Sequence, residues 1–127
     1  ADKPSAQVRI ILPNPSDQDI TGELGRRWGG IEPGEVANRI NGAIDDFKSI
    51  FAGNNADFEI WLTAFTPAYS AYRFDNKIIT SIYYHREGRY DVPAYTFKKG
   101  GSIYKFFECE VNKTASNNSN LATQRYP

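Results

Sequence analysis

Methionine is absent from the 127 residues, and cysteine and histidine occur once each. The lone Cys109 excludes an intrachain disulfide and a cysteine-rich zinc site, and its neighbours Phe106, Phe107 and Val111 predict a small buried hydrophobe. The lone His85 leaves little scope for a histidine-built metal centre or a two-histidine mechanism. No apolar run approaches the ~20 residues of a membrane helix, and no leader-peptide pattern is present, so a cytoplasmic setting without membrane contact is expected. The phosphate-loop patterns GxGxxG and GxxxxGK(S/T) and the nucleophile pattern GxSxG are all missing, and no segment repeats. Formal net charge is zero, which removes any whole-molecule pull toward nucleic acid or anionic lipid. With no Met even at position 1, the chain is expected to be a piece of a longer protein.

What is present is aromatic and globular: eight Phe, eight Tyr and two Trp within a composition that is 40% hydrophobic. Charge is divided between the halves. Residues 1–60 hold ten acids against six bases, and residues 61–127 hold five against nine. The chain is organised around DFEIWLTAFTPAYSAYRFDNKIITSIYY, which reads as strands over 58–65, 69–74 and 78–84. Asp75-Asn76 suits a tight hairpin between the last two, because both residues tolerate a left-handed backbone.

Earlier in the chain, VRIIL over 8–12 is a short buried strand stopped by Pro13-Asn14-Pro15. Residues 16–34 read as a long loop with about one helical turn near Ile20–Leu24. Pro33 to Ala52 is the clearest helix. Val36, Ile40, Ile44, Phe47 and Phe51 make one stripe, and Gly42 in its middle is expected to mark close packing. A strand, a helix and a strand form a crossover, so the first two strands should be parallel. A short edge strand over 93–97 and a helix over 103–113 with Ser102 as N-cap follow. Residues 1–7 read as a flexible lead-in, 8–113 as the domain and 114–127 as a disordered tail. Two short glycosylation-like triplets, at Asn112 and Asn117, are taken as chance matches.

Two constellations bear on function. Tyr84-His85-Arg86 with Arg89 places a histidine and guanidiniums at a strand end, a donor set suited to phosphate or carboxylate, with tyrosines able to stack on a base. In Tyr72-Arg73-Phe74-Asp75, alternation sets Arg73 and Asp75 on one face, where a local ion pair is the plain reading. The carboxylate pairs Asp45-Asp46 and Glu108/Glu110 have no base or nucleophile in sequence reach and read as solvated helix surface.

The element order, together with VRIILPNP (8–15), TPAYSAYRFDNKIITSIYYH (66–85) and Pro93 followed by GGSIYKFFECEV (100–111), resembles one half-unit of the phospholipase D-like superfamily. Its reactive motif is H-x-K-x-x-x-x-D. Setting Asp75 in the aspartate slot puts Ala68 in the histidine position and Ser70 in the lysine position, so the resemblance implies a cleft without its nucleophile. It also implies a second half-unit or a homodimer facing the site. The expectation is a single α/β domain with a mixed sheet of four or five strands and two main helices. Its expected role is a non-catalytic ligand-sensing or partner-binding module of a larger bacterial regulatory or defence protein. An anionic, nucleotide-like or phosphorylated ligand would meet Ser70, Tyr72, Arg73, Asp75, Tyr84, His85 and Arg86, with no cofactor and no metal. The alternatives are a phosphodiesterase using His85 and a nucleic-acid-binding module using the basic half.

Overall fold

The computed structural model describes residues 7–53, 57–74, 76–82 and 93–126. Among them the order is β1 (Gln7–Pro13), α1 (Gln18–Arg27), α2 (Pro33–Phe51), β2 (Asp57–Thr63), β3 (Tyr69–Phe74), β4 (Lys77–Ile82), β5 (Ala94–Lys98), α3 (Ser102–Thr114) and β6 (Ala122–Tyr126). The class is mixed α/β in one small domain, as expected. The strands, however, form two three-stranded sheets, β1-β2-β6 and β3-β4-β5, in place of one sheet of four or five.

The first sheet is built on β2. β1 runs parallel to it in register from Gln7↔Asp57 to Pro13↔Thr63, the arrangement a crossover demands. Alternation sends Phe58, Ile60 and Leu62 to one face, where Ile20 and Leu24 of α1 and Val36, Ile40, Ile44 and Phe51 of α2 cover them. The Phe51 and Phe58 rings stack at 3.6 Å between centroids. Trp61 points the other way, buried with Ala115 and Ala122 against Ile11. Removing a side chain the size of Ile60 from such a core costs about 2–5 kcal/mol.

The second sheet is an antiparallel meander. β3 pairs with β4 from Tyr69↔Ile82 to Phe74↔Lys77, which leaves Asp75-Asn76 as the two-residue connection. Asn76 does not take a positive φ, so left-handed tolerance is not what suits it to the turn. β5 flanks β4, from Lys77↔Lys98 to Ser81↔Ala94. α3 lies on one face of this sheet, with the Phe107 ring 5.2 Å from that of Tyr69 and 6.0 Å from that of Phe97. Ile78 and Thr80 are buried beneath it.

Several sequence expectations are corrected. Residues 16–34 are not a loop: α1 fills most of them. Asp17 caps it by accepting from Asp19 N and Ile20 N, and Gly29 and Gly30 end it at φ +95° and +83°. Among the described residues three helices therefore form where two main ones were expected. The tail contributes β6, antiparallel to β2, because β2 has an unfilled edge and the Ala64 amide already donates to Leu121 O at 2.8 Å. Gly101, not Ser102, is the N-cap of α3. Cys109 is exposed, since it falls on the side of α3 away from the sheet. A Cβ at Gly42 would meet nothing within 4 Å, so this glycine packs closely against nothing.

The close approach lies at Gly25 instead, where a Cβ would overlap the Ile31 carbonyl oxygen. The same substitution should thus have opposite signs in two helices. Gly25→Ala should destabilise by about 1–3 kcal/mol as backbone is displaced, and Gly42→Ala should stabilise by about 0.5–1 kcal/mol through helix propensity. Denaturant melts of the two variants compare them directly. Deleting residues 122–127 strips the edge of β2 and uncovers Trp61. The melting temperature should fall by roughly 10 °C or more, and an unchanged transition would show that β6 contributes nothing.

Candidate functional site

The second sheet is tied to the first by a short polar chain. Arg27, in the last turn of α1, donates through Nη1 to Pro67 O at 2.7 Å in the connection that leads into β3. Glu23 accepts from Arg27 Nε at 3.2 Å and from Arg26 Nη2 at 2.7 Å, one turn back on the same helix. These guanidiniums, Arg26 by hydrogen bond foremost, hold the Glu23 carboxyl below its ordinary value of 4.5. Fixing Pro67 fixes where β3 begins, and hence which way its faces look.

One face of the β3-β4-β5 sheet carries Tyr69, Ala71 and Arg73, opposite Ile82, Thr80 and Ile78, and looks toward α3. Arg73 donates through Nη2 to Glu108 Oε2 at 2.9 Å across the sheet–helix gap. α3 thus brings a carboxylate over the strand to Arg73, while the expected local pair with Asp75 lies outside the described residues. Burial, reinforced by Glu110, raises the Tyr69 hydroxyl above its ordinary value, so it stays protonated. Beyond Arg73 the same side opens into a groove of about 640 Å³ between the sheet and α3, walled by Ile82, Tyr95, Phe97, Ile103, Phe106 and Phe107. Its lining, which also includes Thr80 and Ser102, has no charged side chain, so no cation there attracts an anion.

The opposite face looks outward. It carries Ser70 and Tyr72 of β3, Lys77, Ile79 and Ser81 of β4, and Ala94, Thr96 and Lys98 of β5. Tyr72 is 62% exposed. Lys77 and Lys98 stand directly opposite one another, and Lys99, whose amide donates to Asn76 O at 2.8 Å, lies at the same end. No carboxylate among the described residues occurs on this face.

The residues expected to form one site are thus distributed. Ser70 and Tyr72 share the outward face, Arg73 belongs to the inward one, and Asp75, Tyr84, His85 and Arg86 lie outside the described residues. Lys77 and Lys98 were missed, although alternation along the hairpin already put Lys77 on the side of Tyr72; pairing with Lys98 needs the register of β5. Among the described residues no group of His, Cys, Asp and Glu side chains is disposed to hold a metal ion, and no helix is long and apolar enough to cross a membrane.

Because Glu23 has a lowered folded pKa, its contribution is present above the unfolded value and is lost as pH falls through the folded one. Glu23→Gln should cost about 0–1 kcal/mol at pH 7, a small effect because the pair is one-third exposed and screened. It should also flatten the decline in stability below about pH 5. Melts of both proteins from neutral to acid pH test this; parallel curves would remove the Glu23–Arg link.

Comparison with known proteins finds no matching family model, no matching curated protein and no matching solved structure.

Proposed function

We propose that this domain is a non-catalytic binding module, a phospholipase D-like half-unit that has lost its reactive groups and takes an anionic, nucleotide-like ligand on the outward face of the second sheet. The observation that carries the reading is the composition of that face. It combines an exposed aromatic ring, two lysines and several hydroxyls, with no acidic side chain among its described residues. Aromatic faces stack on bases, ammonium groups attract phosphate, and hydroxyls donate to sugar or phosphate oxygens. The groove on the other side has aromatic rings and hydroxyls but no ammonium group.

The phospholipase D-like resemblance supports binding without turnover. Ser70, in the slot of the phosphate-binding lysine, lies on the same outward face as Tyr72, two residues along β3. A hydroxyl there can donate to a phosphate oxygen but brings no positive charge. The role is that of a sensing or docking domain in a larger bacterial regulatory or defence protein, and a second copy or half-unit facing this surface would complete a cleft.

Thermal shift tests the reading. Nucleoside mono- and triphosphates should raise the melting temperature by about 1–2 °C once their concentration reaches Kd, because a ligand selective for the folded state stabilises by mass action. Tyr72→Ala should abolish the rise, whereas Arg73→Ala, on the inward face, should leave it. An equal rise with inorganic phosphate at matched ionic strength, indifferent to Tyr72, would rule out a nucleotide site.

A further inference from the structure

We infer that the outward face of the second sheet binds single-stranded nucleic acid, with Tyr72 as the stacking platform and Lys77, Lys98 and Lys99 as the phosphate contacts. The inference rests on the binding role proposed above and specifies a polymer as its ligand.

The fold retains a repulsion on this face. Lys77 and Lys98 are paired across β4 and β5, both exposed, and like charges directly opposite on a sheet destabilise it. Five of the described arginines are neutralised locally, whereas Lys48, Lys105, Lys113 and Arg125, like the lysines of this face, form no ion pair among the described residues. Arg9 meets Glu59, Arg26 and Arg27 meet Glu23, Arg39 meets Glu35, and Arg73 meets Glu108. Lys77, Lys98 and Lys99 have no such carboxylate among the described residues. What sets Lys77 and Lys98 apart is their facing register, and an anion seated between the two ammonium groups would remove the repulsion.

Geometry supplies the second argument. The register sets Tyr72 opposite Ile79 and Thr96, one row of the sheet away from Lys77 and Lys98. Two residues along a strand advance about 6.8 Å. A base lying on the Tyr72 ring therefore has its phosphate within reach of long, flexible lysine stems. On the far side of the ring the next row presents Ser70 and Ser81, hydroxyls that suit the sugar and backbone of the following nucleotide.

Third, Tyr72, Lys77, Thr96 and Lys98 are all exposed, across two adjacent rows of the sheet. A free nucleotide would gain one stack, worth about five- to 150-fold in affinity, and one phosphate. A strand running across the three rows adds contacts at each, which is how sheet surfaces and grooves hold unpaired nucleic acid. A duplex buries its base faces in its own stack and leaves Tyr72 unused.

Fluorescence anisotropy with labelled oligouridine and oligothymidine of about ten nucleotides provides the test. Binding should weaken with salt at a log–log slope near −2, the value for about three phosphates at −0.7 each. Lys98→Glu should reduce that slope by about 0.7 or more. Tyr72→Ala should weaken binding about five- to 150-fold at every salt concentration. Both positions are exposed, and a retained melting transition in each variant confirms an intact fold.

Oligonucleotides that bind no tighter than uridine monophosphate would overturn the polymer assignment and leave the nucleotide-binding role standing. Absence of binding by either would overturn both. Preference for a duplex, or equal binding of heparin unaffected by Tyr72→Ala, would reduce the face to a generic cationic patch and likewise overturn the inference.

Discussion

Strand β2 carries large apolar side chains on both of its faces, and covering both is the constraint from which the rest of the architecture follows. Phe58, Ile60 and Leu62 are covered by the crossover helices, which a parallel β1–β2 pair would place on one side in any case. Trp61 needs a second cover, and the chain supplies it from far downstream with Ala115, just past α3, and Ala122, at the start of β6. The far end of α3 is thereby held at the first sheet while Phe107 packs on the second. One helix bridges the two sheets and buries Ile78 and Thr80 on one face of the β3-β4-β5 meander, leaving Ile82 and Tyr95 on the groove. The other face is left outward.

That division explains why the two surfaces of the second sheet differ in chemistry. Beneath α3 the side chains are those of a core edge, and the one guanidinium there is held by Glu108. Such a partly exposed pair is worth about 0–1 kcal/mol, enough to orient Arg73 but not to define a site. Among the described residues no helix packs on the outward face, and Ser70, Tyr72, Ser81 and Thr96 belong to no core cluster. Their arrangement around Lys77 and Lys98 gives that surface its sign.

Elements whose signal is local were legible in the sequence. The VRIIL strand with its prolines, the apolar stripe of α2, the parallel crossover and the Asp75-Asn76 connection all follow from short-range pattern. α1 was obscured because Gly22 and Gly25 interrupt a stripe of only Ile20, Leu24 and Trp28. Its end signals were nonetheless present in Asp17, in Arg26-Arg27 and in the glycines at 29 and 30. β6, with the sequence ATQRY, has no strand pattern of its own and exists because β2 offers an edge. The separation of Ser70 and Tyr72 from Arg73 was available from the two-residue period alone. The Arg73–Glu108 pair and the facing lysines were not, since each joins segments whose proximity only the tertiary fold decides.

The strand that closes the first sheet is also among the last stretches of this sequence to be synthesised. β2 is complete at Thr63, while its antiparallel neighbour begins at Ala122. At about 5–20 residues per second, a nascent chain holds β2 with a bare hydrogen-bonding edge and an uncovered indole for roughly 3–12 s. In that interval the segment from Phe58 to Leu62 is an adhesive edge of the kind that recruits other strands. The ribosome-bound intermediate, rather than the finished domain, is therefore where this protein is most prone to aggregate and most in need of a chaperone.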